Sequence, residues 1–295
     1  MLVLSGGTGT PKLLLGLKQL LDPSDLSVVV NTAEDCWISG NYVSPDIDTV
    51  LYTLADIIDK SKWWGLDGDS FHTRDFLKTL GFAELLALGD KDRAVHIFRS
   101  ELLRKGKNLS QVTYTLANSL GVRQRVVPMT NDPVATIINT PEGDLHFQEF
   151  WVGKSGEPEV LSLRFEGINE SRPSPSFLEL LDKETFVLLG PSNPITSIGP
   201  ILALPGVSER LRKKRIIAIS PMVGNKPVSG PVARFMTALG VPANDDGVAA
   251  LLGRLDIFVV DINSSFSGEC IRLDTLMRTE SDCYRLAKSI VELCS

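Results

Sequence analysis

The stretch MLVLSGGTGTPK, residues 1–12, runs four apolar residues straight into a turn of glycines and hydroxyls. Leu2-Val3-Leu4 has the length and character of a short buried strand. Lys12 to Leu21 then carries leucines at 13, 14, 17, 20 and 21, the spacing of one apolar helix face. Ser27-Val28-Val29-Val30 is a second apolar strand, ending at Asn31-Thr32-Ala33-Glu34-Asp35. Strand, glycine turn, helix, strand is a βαβ unit, and such units build parallel sheets with helices on both faces.

Working outward, TFVLLGPSNP (185–194), RIIAISPMVG (215–224) and DIFVVDINS (256–264) are each an apolar strand entering a polar or Gly/Pro loop. They are predicted as further parallel strands of the same sheet. Strand signals also occur at Arg125–Met129, at VATIINT (134–140) and at LHFQEFWVG (145–153), with a hairpin turn at EGDL (142–145). Residues 49–120 read as helical, and residues 278–294 as a closing helix. The expected fold is α/β: a Rossmann-like parallel sheet over 1–55 and 122–295, carrying a small inserted helical lobe over 56–121.

The 295 residues are 43% apolar and 22% charged, an ordinary globular balance. A net charge of −6 argues against broad nucleic-acid binding, which draws on basic patches, but leaves room for a local anion pocket. Cys36, Cys270, Cys283 and Cys294 have no CxxC spacing, so neither a zinc site nor a disulfide framework is expected. Residues 1–4 lack a basic leader and read as a strand, not a signal peptide. No stretch approaches the ~20 apolar residues needed to span a bilayer. The expectation is a cytoplasmic protein without membrane attachment.

In open α/β sheets ligands bind beyond the carboxyl ends of the strands, so the loops after the strands carry the chemistry. In the first, Gly6, Gly7 and Gly9 let backbone N–H groups approach an anion, Thr8 and Thr10 add hydroxyls, and Lys12 adds charge at a helix start. A purely structural turn is the alternative, since the pattern is neither a Walker A loop nor GxGxxG. In NTAEDCWISGNYVSPDIDT (31–49), Asp46 and Asp48 alternate, so in an extended chain both face one way. Near a phosphate cradle such carboxylates suit Mg²⁺; the alternative is that they cap a helix beginning near Thr49. Gly89-Asp90 starts a turn before a helix and Asp92 and Arg93 occupy its first turn, where acids favour the dipole, and His96 reads as a packed or surface residue. Ser192, Asn193, Thr196 and Ser197, then Asn225, Lys226, Ser229 and Gly230, offer donors to phosphate. Three such loops on one sheet point to a nucleotide or diphosphate ligand. Trp63, Trp64 and Trp151 read as packing residues, an aromatic platform being secondary.

Taken together, SGGTGTPKLL, VVVNTAED, SPDIDTVLY, KWWG, LGDKDRA, GPSNPITSIGP, SPMVGNKPVSGP and DTLM resemble the archaeal CofD family of 2-phospho-L-lactate transferases over essentially the whole chain. The resemblance implies a step in making the deazaflavin coenzyme F-420. A phospholactyl group moves from lactyl-2-diphospho-5′-guanosine to the ribityl hydroxyl of the deazaflavin Fo, GMP leaves, and Mg²⁺ is required. It also implies a homodimer. On this reading the loops 5–12, 190–200 and 224–231 hold the guanosine diphosphate half. Asp48 contacts Fo, and the 87–93 loop, with Ala87, Asp90 and Arg93, contacts it from the lobe. Ala87 stands where relatives often carry a longer polar side chain, and the stretch 263–268 is short.

The expected mechanism is direct displacement at phosphorus, with Mg²⁺ held by Asp48 and by Asp46 or Asp35, and with Lys12 or the loop amides stabilising developing charge. The donor's acid, lactate or enolpyruvate, is not distinguished by any residue. The rival expectation is a non-catalytic regulator that binds UDP-sugars, from a related family with the same opening loop. An NAD(P) oxidoreductase is disfavoured, because Asn31 stands where a ribose-binding acid is expected.

Overall fold

The structure is a computed structural model describing residues 1–224, 226–228 and 230–294. The chain opens with β1 (Leu2–Ser5), α1 (Gly9–Leu20), β2 (Ser27–Val30), the hairpin β3 (Cys36–Ile38) and β4 (Asn41–Val43), and α2 (Pro45–Leu54). Helices α3 (His72–Thr79), α4 (Asp90–Arg104) and α5 (Leu109–Ser119) follow, and lead into β5 (Arg125–Pro128). Next come β6 (Ala135–Thr140), β7 (Gly143–His146), β8 (Ser162–Glu166), α6 (Pro175–Lys183), β9 (Phe186–Leu189), α7 (Gly199–Ala203) and α8 (Val207–Leu211). The last part holds β10 (Arg215–Ile219), β11 (Met222–Val223), β12 (Lys226–Pro227), α9 (Val232–Ala238), α10 (Asp245–Leu252), β13 (Ile257–Asp261), β14 (Ile271–Leu273) and α11 (Glu280–Cys294).

Seven strands form one sheet in the order β14-β13-β10-β9-β1-β2-β5, every pairing parallel. The period of two along each strand divides the core in two. Leu2, Leu4, Val29, Val187, Leu189 and Ala218 face the side covered by α6 to α10. Val3, Val28, Val30, Leu188, Ile217 and Val259 face α1, α2, α5 and α11. This is the expected α/β arrangement with helices on both faces. Gly16 lets α1 and α11 pack in direct contact, since a Cβ there would lie 2.2 Å from the Cys283 carbonyl oxygen. Leu109, Val112 and Leu116 of α5 sit in the same core as β2 and α2.

One expectation is corrected. The apolar strand over 145–153 stops at His146, and Glu149–Gly153 forms a π-helical turn instead. Phe147 and Phe150 are both buried against Phe235, and residues three apart reach the same side only in a helical conformation. β6 and β7 pair antiparallel as the expected hairpin, and with β8 they form a separate three-stranded sheet.

The helix expected near Thr49 begins four residues earlier, at Pro45, with Ser44 in the N-cap position. Proline's fixed φ suits that first turn. The earlier start places Asp46 and Asp48 inside a helix rather than on extended chain, with consequences for the site.

β1 pairs β2 on one side and β9 on the other, so the strand order reverses at β1. That reversal opens a crevice at the carboxyl ends of β1 and β9, where the loops 5–9 and 190–198 meet.

Candidate active site

The opening turn is built around close backbone approach. Gly7 has φ +56°, a region that L side chains rarely adopt. A Cβ on Gly9 would lie 1.9 Å from the Pro191 carbonyl oxygen, so only glycine lets the two loops touch. Thr10 and Ser192 lock them together: their hydroxyls are 2.6 Å apart, the Thr10 amide donates to Ser192 Oγ at 3.2 Å, and Ser192 Oγ donates to the Gly6 carbonyl.

Gly7, Thr8, Gly9, Lys12, Ser192, Asn193, Thr196, Ser197 and Gly230 line a cavity of about 530 Å³. That size accommodates a small-molecule ligand. Of the residues expected to hold nucleotide, Gly6 and the wholly buried Thr10 lie behind the wall, because packing the loops uses them. Asn225 and Ser229 lie outside the described residues. Lys12 stacks its ammonium 5.2 Å from the centroid of Trp63, and burial pulls its pKa below the usual lysine value.

Asp46 and Asp48 do not face one way. Two residues along a helix rotate a side chain by about 200°. Asp46 turns under the glycine turn, where it accepts from the Gly7 amide at 2.8 Å and from Asn31 Nδ2 at 2.9 Å. Burial pushes its pKa from 3.8 to about 6. Glu34 is buried beside it, and desolvation, then the Asp46 charge, hold its carboxyl well above the ordinary value. Asp35, also raised by burial, accepts from the Ser44 hydroxyl. None of these three acids forms an ion pair among the described residues.

Asp48 turns toward α4 instead. Arg99 Nη1 donates to its Oδ2 at 3.0 Å, Arg99 Nη2 donates to its Oδ1, and His96 Nε2 lies 3.2 Å from Oδ2. Burial alone would raise the Asp48 pKa, but Arg99 and His96 overcome it and hold the carboxyl below the ordinary value. His96 Nε2 is also 3.2 Å from Asp92 Oδ1, which accepts from the Tyr52 hydroxyl at 2.7 Å.

Of the expected magnesium ligands, Asp46 and Asp48 line the cavity but are each engaged by other partners, and Asp35 does not line it. Among the described residues, the acid and imidazole groups that do converge, with ligand atoms within 4.8 Å of one another, are Asp48, Asp92 and His96. They do not fit a resident Mg²⁺, which takes oxygen ligands, because a guanidinium already grips both oxygens of Asp48 and one of the three groups is an imidazole.

On the lobe side, Leu86, Ala87 and Leu88 line the cavity, and so does Asp92. Asp90 and Arg93 do not. Asp90 accepts from Ser70 Oγ and from the His72 and Thr73 amides, which fixes the start of α3. Arg93 donates both guanidinium arms to Glu84, at 2.9 and 2.5 Å. Their side chains are spent on holding the lobe together.

Trp63, Trp64 and Trp151, read as packing residues, all line the cavity, with Trp64 41% and Trp151 38% exposed. Trp63 stands at φ +62°, a strained conformation for a non-glycine residue. Asp92, His96 and Arg99 were within reach of the sequence. Their i, i+4, i+7 spacing places them on one face of α4.

A family model described as 2-phospho-L-lactate transferase CofD matches residues 1–288. The chain belongs to the CofD family. Among its relatives, the 2-phospho-L-lactate transferase of Methanosarcina mazei is 48% identical over 99% of both chains. Those of Methanopyrus kandleri and Methanocaldococcus jannaschii are 45% and 44% identical, covering 99% of this chain and 96% and 97% of theirs. Crystal structures of a upf0052-family protein from Bacillus halodurans share the fold. One has a TM-score of 0.62 at 17% identity over 98% of both chains; the other has 0.58 at 19% identity over 88% of this chain and 79% of that one. In this CofD-family chain the glycine turn, the 190–198 loop and the α2–α4 acids thus share one cavity. No helix among the described residues is long and apolar enough to cross a membrane.

Proposed function

We propose that this CofD-family protein moves a 2-phospho-L-lactyl group from lactyl-2-diphospho-5′-guanosine to the ribityl hydroxyl of the deazaflavin Fo. The observation that carries the reading is a single cavity with two unlike walls. One wall is the glycine turn, the α1 N-terminus, Lys12 and the hydroxyl of Ser197, a setting for a diphosphate. The other carries Trp64, Trp151 and Leu86, a setting for a flat ring, and the Asp48 carboxylate lines the same cavity.

In the reaction, the ribityl oxygen attacks the phosphorus bearing lactate. The new O–P bond forms as the bond to the GMP oxygen breaks, and the hydroxyl proton is released. Lys12 and the loop amides stabilise charge on the phosphoryl oxygens and on the departing GMP. Asp48 accepts the hydrogen bond of the attacking hydroxyl and sets its direction; such positioning provides much of the rate in phosphoryl transfer. Magnesium belongs in this reading to the diphosphate donor, as its counter-ion.

The test is mass-spectrometric turnover of purified protein with Fo and the donor, with and without EDTA. A gain of phospholactate on Fo with one GMP released per product supports the reading. Nucleotide binding without product overturns it, and UDP-sugar binding is then measured. Running the enolpyruvyl donor in competition decides the three-carbon acid.

A further inference from the structure

Asp48 is held by a chain of bonds between α2 and α4. Tyr52 donates to Asp92, His96 stands between Asp92 and Asp48, and Arg99 grips Asp48 with both arms. All five side chains are buried, Arg99 at 0% and His96 at 1% exposure. Burying a guanidinium is costly unless it is paired, and here its partner is an acid that also lines the cavity. Two acids meet one permanent cation here, and His96 Nε2 lies 3.2 Å from both of them. Arg99 also donates to the Tyr42 carbonyl at 3.3 Å, which ties the hairpin β3–β4 to the same group.

We propose that Arg99 and His96 are positioning residues for the transfer: they fix the Asp48 carboxylate so that its one remaining lone pair, on Oδ1, meets the acceptor hydroxyl. Arg99 occupies one lone pair on each Asp48 oxygen and His96 a further one on Oδ2, so rotation of the carboxylate is blocked. Neither residue needs to touch the acceptor's reacting oxygen. Their effect passes through Asp48 and falls on the acceptor half of the reaction alone.

The inference rests on the proposed transfer, and the experiment separates the two. Wild type, Arg99→Lys, His96→Gln, Asp48→Asn and the double variant Asp48→Asn/Arg99→Lys are assayed with Fo and the donor nucleotide, and GDP binding is measured by calorimetry. Arg99→Lys keeps the charge but loses the two-armed grip. Expected are a fall of about 30-fold or more in kcat/KM for the acceptor, GDP affinity within about 2-fold of wild type, and a double variant no slower than Asp48→Asn alone. His96→Gln retains a donor to Asp48 and is expected to lose less than Arg99→Lys. Additive losses in the double variant, or equal losses in acceptor and GDP binding, overturn the inference. No turnover by wild type overturns the transfer reading itself. Should Arg99→Lys fail to fold, the cycle of His96→Gln with Asp48→Asn decides by the same criterion.

Discussion

Asp46 and Asp48 are two residues apart on one helix, equally buried, and chemically unlike. Asp48 faces Arg99 and His96 and is held ionised. Asp46 faces a backbone amide, an asparagine amide and a second buried acid, Glu34, and its pKa rises to about 6. The contrast shows that burial alone does not set a carboxyl's state. What packs opposite does: a charge of opposite sign on α4 in one case, neutral donors in the other. One cavity thus holds an acid kept ionised by a cation on α4 beside acids whose pKa burial raises.

The sharpest way to break the contrast is to remove the cation. Arg99→Ala leaves Asp48 buried with only the histidine, and equilibrium unfolding in urea is expected to show a loss of about 3–5 kcal/mol. A loss under 1 kcal/mol would mean that Asp48 needs no such partner. Next in size, Asp48→Asn keeps shape but removes charge. Transfer to Fo is expected to fall about 10²–10³-fold in kcat/KM, measured by steady-state product formation, while GDP still binds.

The pH dependence tests the Asp46 side. Its pKa in the folded chain, about 6, lies above the ordinary aspartate value of 3.8, so between those values the folded state holds more proton than the unfolded one. Stability contributed by this group therefore rises as pH falls from ~6 to ~4 and is lost as pH rises back through ~6. Urea midpoints of Asp46→Asn should lack that slope. A wild type and variant that track each other across the window would refute the raised pKa. The smallest effect expected is Thr196→Val, which removes a hydroxyl donor from Glu34 and should cost about 1 kcal/mol of stability without moving Arg99→Ala's penalty, as a double-variant unfolding series would show.

Much of the architecture was legible because it depends on local pattern. Apolar runs of strand length ending in glycine turns mark β1, β2, β9, β10 and β13, and leucines on one face mark α1. The π-helical turn after β7 was not legible as such. Its apolar residues read equally as strand, and only Phe235, distant in sequence, selects the helical turn. Glycine and hydroxyl density located the cavity's phosphate side, yet the same residue types also serve to pack loops. Thr10 was indistinguishable by type from Thr8, although one locks Ser192 and the other faces the cavity.

The amino-acid order by itself determined the parallel sheet, the place of the glycine turn and the supply of acids on α2, since each rests on neighbours within a few residues. Tertiary structure alone decided which acid carries charge, which tryptophans face the cavity and which lobe residues are merely scaffolding. Those properties depend on what approaches from the far side of a gap, as Arg99 reaches Asp48 across 51 positions of chain. Electrostatics in a buried site acts through space over a few ångströms, a distance that sequence separation does not measure.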